Sequence, residues 1–408
     1  MQSNKTHWAS ILTLAVLSFG VLFLFLVAAA FGVASLISLF AEVSAAGEMI
    51  AAFAFGFDAL LLLVCIWFVY QKMTGWDVAE LPFIVPFAWW QVAAGAGVVF
   101  FSILAGGFAA VSGINWLGWL ILPLLTLFVI AIPIWLVFGI GSNGLDTRPR
   151  WRFFAVFGLS LTLAPAVMIA LELMAAIMVL VGGVVYLASA QPDLFLEISN
   201  VMERLAVQPE NQELFLQTFA PYLSNPWVIA VGIGYIAIIV PLIEELFKPL
   251  ALWLFGGKLT SPAQGFVLGM LSGAAFSIFE SLNASADGSA AWALIVSARA
   301  GTGILHIVTS GLMGWGIASA FIEKRYGRLA ACYGTAVLLH GVWNAAAGGL
   351  GVVGMGEMIG RPEWLFAFAP ALFCCLIVMG IGMFVVLVAS NRKMKKLEAP
   401  SQVEPSAT

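Results

Sequence analysis

The chain has 408 residues, of which 62% are hydrophobic and only 9% charged, with a formal net charge of −4. That composition excludes a soluble globular domain, and no basic patch interleaved with aromatics suggests a nucleic-acid partner. The apolar segments are continuous rather than alternating, so the spans they predict are helices and not barrel strands.

A membrane span needs about 20 mostly apolar residues. Ten segments meet that length: 10–40, 49–70, 86–111, 115–140, 152–189, 227–256, 263–285, 291–321, 329–351 and 364–390. The first is too long for a signal peptide and reads as a retained span. The fifth contains Pro165 and reads as one long, kinked helix. The loop at 190–226 is acidic. Within it Leu194, Ile198, Val201, Met202 and Leu205 recur at helical spacing, which predicts a short amphipathic helix on the membrane surface. In the seventh segment Gly265, Gly269 and Gly273 form a GxxxGxxxG stripe that lets another helix approach closely. Cys65, Cys332, Cys374 and Cys375 lie in or beside apolar segments and form no metal-type CxxC pattern, so neither disulfides nor a thiolate metal site are expected.

The cations orient the chain. Thirteen of the 17 Lys and Arg residues fall at the N-terminus, in every second loop, or at the C-terminus, and only Arg204 and Arg361 occupy the alternate loops. By the positive-inside rule both termini are cytoplasmic and the number of spans is even. The expected protein is therefore an all-α polytopic bundle of about ten spans in a bacterial cytoplasmic membrane. Its expected organisation is a five-span region over 1–226 that ends in the acidic loop, a four-helix core over 227–346, a final span over 347–391 and a disordered basic and polar tail over 392–408.

Ionisable groups deep in apolar segments are costly and mark functional sites. Glu244, Glu245 and Lys248 lie in the sixth segment, His306 in the eighth and His340 in the ninth. Glu244 and Lys248 are four residues apart, so they share one helix face and can pair, while Glu245 points about 100° away; pairing with Lys248 can hold one carboxylate ionised and leave the other free to act. Pro241 and Pro249 each remove a backbone donor, and the carbonyls they orphan, near 237 and 245, need other partners. His306 has Ser310, and His340 has Asn344, four residues later on its own helix face, so each histidine has a candidate hydrogen-bonding companion. A rise of about 1.5 Å per residue brings Glu244, Glu245, His306 and His340 to similar depth.

The ordered set Glu244-Glu245-x-x-Lys248, Phe279-Glu280, His306-x-x-x-Ser310 and His340-x-x-Trp343-Asn344 resembles the four-motif pattern of PrsW-type intramembrane proteases, relatives of the CAAX prenyl endopeptidase and bacteriocin-processing membrane protease superfamily. The resemblance covers roughly 227–346. It implies hydrolysis of a peptide bond in a membrane-protein substrate, with Glu244 and Glu245 as the acidic pair, His306 and His340 completing the site, and Lys248, Glu280 and Ser310 in support. Glu280 is the awkward member, lying about 27 Å along its helix from the cytoplasmic start, where Arg299 is placed to neutralise it.

Two mechanisms use these residues. In the favoured one, without metal, one glutamate activates water, the other is held by Lys248, and a histidine with Asn344 stabilises the oxyanion. In the alternative, His306, His340 and Glu245 ligate zinc, although no His-Glu-x-x-His helix is present. Two other functional classes compete with protease: an ion- or proton-coupled transporter, and a non-catalytic scaffold or immunity protein. Clustering of the polar groups in segments six to nine, and the lack of a detectable internal repeat, argue against the transporter. The intact motif set argues against the scaffold.

Overall fold

The computed structural model describes residues 8–75, 83–207, 220, 222, 224–356 and 363–398. The regular elements among them are all helical: α1 (Trp8–Phe40), α2 (Ala46–Thr74), α3 (Trp90–Val111), α4 (Asn115–Ser142), α5 (Arg150–Leu161), α6 (Leu163–Ala190), α7 (Pro192–Val207), α8 (Pro226–Gly234), a π turn (Tyr235–Ile239), α9 (Val240–Phe247), α10 (Leu250–Phe255), a 3-10 turn (Gly256–Lys258), α11 (Pro262–Asn283), α12 (Trp292–Glu323), α13 (Tyr326–Met355) and α14 (Glu363–Glu398). Ten of the described helical stretches are long and apolar enough to cross a membrane, and they coincide with the ten segments expected from the sequence. The chain is an integral membrane protein.

Where helices break, the sequence supplies the cause. Pro165 has no N–H for the Leu161 carbonyl, and the long fifth span bends at Thr162, whose backbone leaves the helical region at φ −123° and ψ −71°. The Thr162 hydroxyl turns back to the Gly158 carbonyl, 2.8 Å away. The amphipathic segment of the 190–226 loop forms α7; positions 208–219 of that loop lie outside the described residues.

The chain divides into two compact units. The first comprises Met1–Ala166, Glu245–Ala336 and Gly382–Thr408. Its centre is the pair α11 and α12, where the glycine stripe packs backbone against backbone. A Cβ added at Gly265 would lie 2.5 Å from the Gly314 carbonyl oxygen, one at Gly269 would lie 2.2 Å from that of Ser310, and one at Gly273 would lie 2.1 Å from that of His306. Trp292, fully buried, anchors the other end of α12 by donating to Thr126 Oγ1 at 2.9 Å. At the start of α11, Ser261 caps the helix by accepting from the Gln264 N–H, and the Gln264 amide donates to the Arg148 carbonyl at 2.6 Å. These ties fix the register of α11 against α5.

The C-terminal helix corrects one expectation. The basic stretch expected to be disordered from residue 392 is helical as far as Glu398. Met383, Leu387 and Met394 are buried along one face, and Asn391 Nδ2 donates to the carbonyls of Gly141 (2.8 Å) and Asn143 (3.0 Å). Lys393 lies over the Trp315 ring, 4.4 Å from its centroid, so its charge is used in packing rather than left to solvate a tail. Residues 399–408 lie outside the described residues.

The second unit comprises Val167–Glu244 and Val337–Ile381. Within it the π turn is met by α13. A Cβ at Gly341 would lie 2.3 Å from the Ala237 carbonyl oxygen, and one at Gly348 would lie 2.5 Å from Ile236 Cδ1. Tyr235 ties the same turn to α6, its hydroxyl donating to the Glu172 carbonyl at 2.6 Å.

Candidate active site

Pro241 and Pro249 shape the helix that carries the acidic pair. In the π turn the Val240 N–H bonds the Tyr235 carbonyl, so the next carbonyl, that of Ile236, faces the ring nitrogen of Pro241, which has no proton to give. Asn344 supplies the missing donor: its Nδ2 lies 2.9 Å from the Ile236 oxygen. The residue expected to assist His340 therefore spends a side-chain N–H on the distorted backbone of the glutamate helix. Pro249 ends α9 at Phe247 and leaves Lys248 in a turn, and the freed Lys248 carbonyl accepts from the Ser272 hydroxyl.

In the first unit a chain of polar side chains runs through the bundle. Lys248 Nζ, fully buried, lies 2.8 Å from Glu245 Oε1 and 2.9 Å from His306 Nδ1, and 4.9 Å from the centre of the Phe276 ring. Thr309 also donates to Glu245 Oε1, at 3.2 Å. On its other side the His306 imidazole meets Glu280, with 2.8 Å between Nε2 and Oε2. Glu280 in turn pairs with Arg299 at 3.1 Å. Lys248 and Glu245 are wholly enclosed, whereas the Glu280 and Arg299 side chains are 31% and 35% exposed.

The charges alternate along this chain: Glu245 and Glu280 against Lys248 and Arg299. Two anions balance two cations, so a neutral His306 leaves no uncompensated charge, which is the condition a low-dielectric interior imposes. A protonated lysine has donors only, so His306 Nδ1 accepts from it and Nε2 carries the proton offered to Glu280.

Three sequence expectations change here. Lys248 pairs with Glu245, three residues away, a spacing that puts the two side chains on neighbouring positions, and the break at Lys248–Pro249 takes the lysine out of regular register. Both ring nitrogens of His306 are engaged by Lys248 and Glu280, and the buried Ser310 hydroxyl has no hydrogen-bond partner among the described residues. Glu280, doubted for its depth, touches both Arg299 and His306. Thr309 and Phe276 escaped the sequence reading, although Thr309 stands one turn after His306 and Phe276 one turn before Glu280.

In the second unit Glu244 faces His340. Glu244 Oε2 and His340 Nε2 are 3.8 Å apart, and both side chains are buried. That separation is too long for a hydrogen bond. It is close to the roughly 3.3 Å that separates two ligands of a tetrahedral ion with bonds of about 2.0 Å. The pair therefore fits the donor geometry of a metal centre.

Residues 211–379 match the model of the PrsW family intramembrane metalloproteases. All four sequence motifs fall inside this PrsW-type segment, and so do every residue of the charge chain and the Glu244–His340 pair. No curated protein and no solved structure matches the chain.

Proposed function

We propose that the PrsW-type segment is an intramembrane endopeptidase that hydrolyses a peptide bond of a membrane-associated protein. The observation that carries this reading is covalent: Glu244, facing His340, and Glu245, held by Lys248 and Thr309, are consecutive residues. One peptide unit thus joins a carboxylate with a metal-ligand partner to a carboxylate fixed for proton transfer.

Glu244 and His340 offer a carboxylate and an imidazole, and the motif order names His306 as the second imidazole; such a donor set suits a catalytic zinc ion. The ion, when bound, supplies Lewis-acid activation of water and of the scissile carbonyl. This donor set and the family description favour a metal over the metal-free mechanism expected from sequence, and they favour Glu244 over Glu245 as the ligand. Glu245 already commits Oε1 to Lys248 and Thr309, which leaves it the role of base. It takes a proton from the attacking water as the C–O bond forms and returns it to the amine as the C–N bond breaks. Lys248 keeps Glu245 ionised and orients His306. His306 would be able to hold a metal only with one of its two ring nitrogens released by Lys248 or Glu280. Glu280, partly exposed and already paired with Arg299, is the partner free to do so.

The test is cleavage of a single-pass reporter co-expressed with the full chain. Glu244→Ala, Glu245→Ala, His306→Ala and His340→Ala are each expected to abolish processing while the protein still inserts at normal level. Retained processing in all four would overturn the reading.

A further inference from the structure

Away from the charge chain, the first unit holds a second feature: an apolar groove of about 270 Å³ between α2, α4, α5 and α11, lined by Phe57, Trp135, Phe153, Phe154 and other wholly apolar or aromatic side chains. It is larger than the apolar cavity of about 150 Å³ that takes up benzene and stays dry without it. Two of its rim residues, Val64 and Trp135, are 47% and 42% exposed on membrane-spanning helices, so the groove opens where acyl chains are the solvent.

One end of the groove leads to a cation. Arg150 begins α5, and Phe154 and Phe157, four and seven residues later, lie on the same helix face and line the groove. The Arg150 guanidinium stands 5.2 Å over the Phe83 ring, and that ring meets Phe153 edge-on with 5.2 Å between centroids. Arg150 is exposed and has no ion pair among the described residues, whereas Arg148 beside it is paired with Asp146. An anionic group at this position also meets the positive end of the α5 dipole.

We propose that this groove is a binding site for an anionic phospholipid, with the phosphate at Arg150 and one acyl chain laid along Phe154 and Phe157. Charge and lining match together: a cation at the headgroup end and a carbon-lined slot leading from it into the membrane. A zwitterionic lipid fits the slot equally well but lacks the net negative charge, so selectivity between the two resides in Arg150.

Native mass spectrometry of the full-length protein, delipidated in detergent and titrated with phosphatidylglycerol or phosphatidylcholine of identical chains, tests this. The expected result is one tightly retained phosphatidylglycerol. Arg150→Gln is expected to lower its preference over phosphatidylcholine about fivefold, the factor of one cation at an anionic headgroup. Ala131→Phe, which fills the groove, is expected to abolish retention of either lipid. Val64→Trp at the rim, read in parallel, gives the same answer should Ala131→Phe unfold. Phosphatidylglycerol carrying a photoactivatable acyl chain should label Phe154 and Phe157. Equal retention of both lipids by wild type, unchanged preference in Arg150→Gln, labelling spread over the outer faces of α1 and α14, or displacement of the lipid by a single-pass peptide would each overturn the proposal.

Discussion

Lys248 and His306 meet at 2.9 Å in the interior of the bundle, with the ammonium set against the δ nitrogen of the imidazole. The same ammonium holds Glu245, so one buried cation fixes two of the groups on which the proposed chemistry depends. Read from sequence alone, a charge-balancing lysine predicts a mild effect for Lys248→Ala. The contact to His306 gives the lysine a task beyond charge balance. Removing one partner of a fully buried pair leaves an uncompensated carboxylate and costs about 3–5 kcal/mol. Lys248→Ala is therefore expected to lower detergent thermal stability sharply as well as to abolish cleavage. The double variant Lys248→Met/Glu245→Gln, which removes both charges together, should regain most of the stability and none of the activity. A thermal melt of the single and double variants checks this, and additive losses would show that the two side chains do not interact.

The Glu244–His340 separation gives a prediction about metal. If these two residues hold an ion, Glu244→Ala and His340→Ala should each lose it, with affinity falling by at least tenfold, while the fold survives. Elemental analysis of purified protein, dialysed against limiting zinc, reads this directly. Glu280→Ala should behave differently, because its loss releases His306 Nε2 without removing a ligand. Its metal content is expected to stay at or above the wild-type level. Zinc lost equally in Glu280→Ala would place Glu280 among the ligands.

How far the sequence reaches is clearest at particular residues. The ten spans were legible because an apolar run long enough to cross a bilayer is a strong signal, and the glycine stripe of α11 was legible because only a close neighbour needs it. Pro241 announced that a carbonyl would be orphaned. It did not announce that the turn would adopt a π register, which moves the orphan from residue 237 to Ile236, nor that Asn344 would fill the gap. That Lys248 would bind both Glu245 and His306 was likewise hidden, since it depends on a break in the helix and on where His306 stands. The helical end of α14 was missed for a similar reason: it resembles a solvated tail until Trp315 is seen to receive Lys393 and the Gly141 carbonyl to receive Asn391.

The Ile236–Asn344 bond can be tested as a cycle. Asn344→Ala leaves a part-buried carbonyl of a membrane-spanning helix unsatisfied and is expected to cost about 1–3 kcal/mol. Pro241→Ala restores an N–H within reach of the same stretch of backbone, so the π turn can relax toward a regular helix. In a Pro241→Ala background, Asn344→Ala should therefore cost measurably less than it does alone. Thermal denaturation of the four proteins gives the coupling. Equal costs in both backgrounds would mean that the amide stabilises the protein by some contact other than the Ile236 carbonyl.

Two glycines on neighbouring helices separate close packing from simple helix propensity. Gly273 faces His306 so tightly that a Cβ would sit 2.1 Å from its carbonyl oxygen, and that neighbour is backbone, which cannot turn aside. Gly273→Ala must push α11 from α12, which costs about 1–3 kcal/mol as overpacking. It also shifts the backbone that holds His306 between Lys248 and Glu280. Gly301, on α12 five residues before His306, has nothing within 4 Å of the added Cβ. Gly301→Ala is expected to stabilise the protein by about 0.5–1 kcal/mol through helix propensity alone. A lower melting temperature with diminished reporter cleavage for Gly273→Ala, beside a raised melting temperature with normal cleavage for Gly301→Ala, is the expected pattern. Were Gly273→Ala to melt and cleave like wild type, the α11–α12 contact could not be what positions His306.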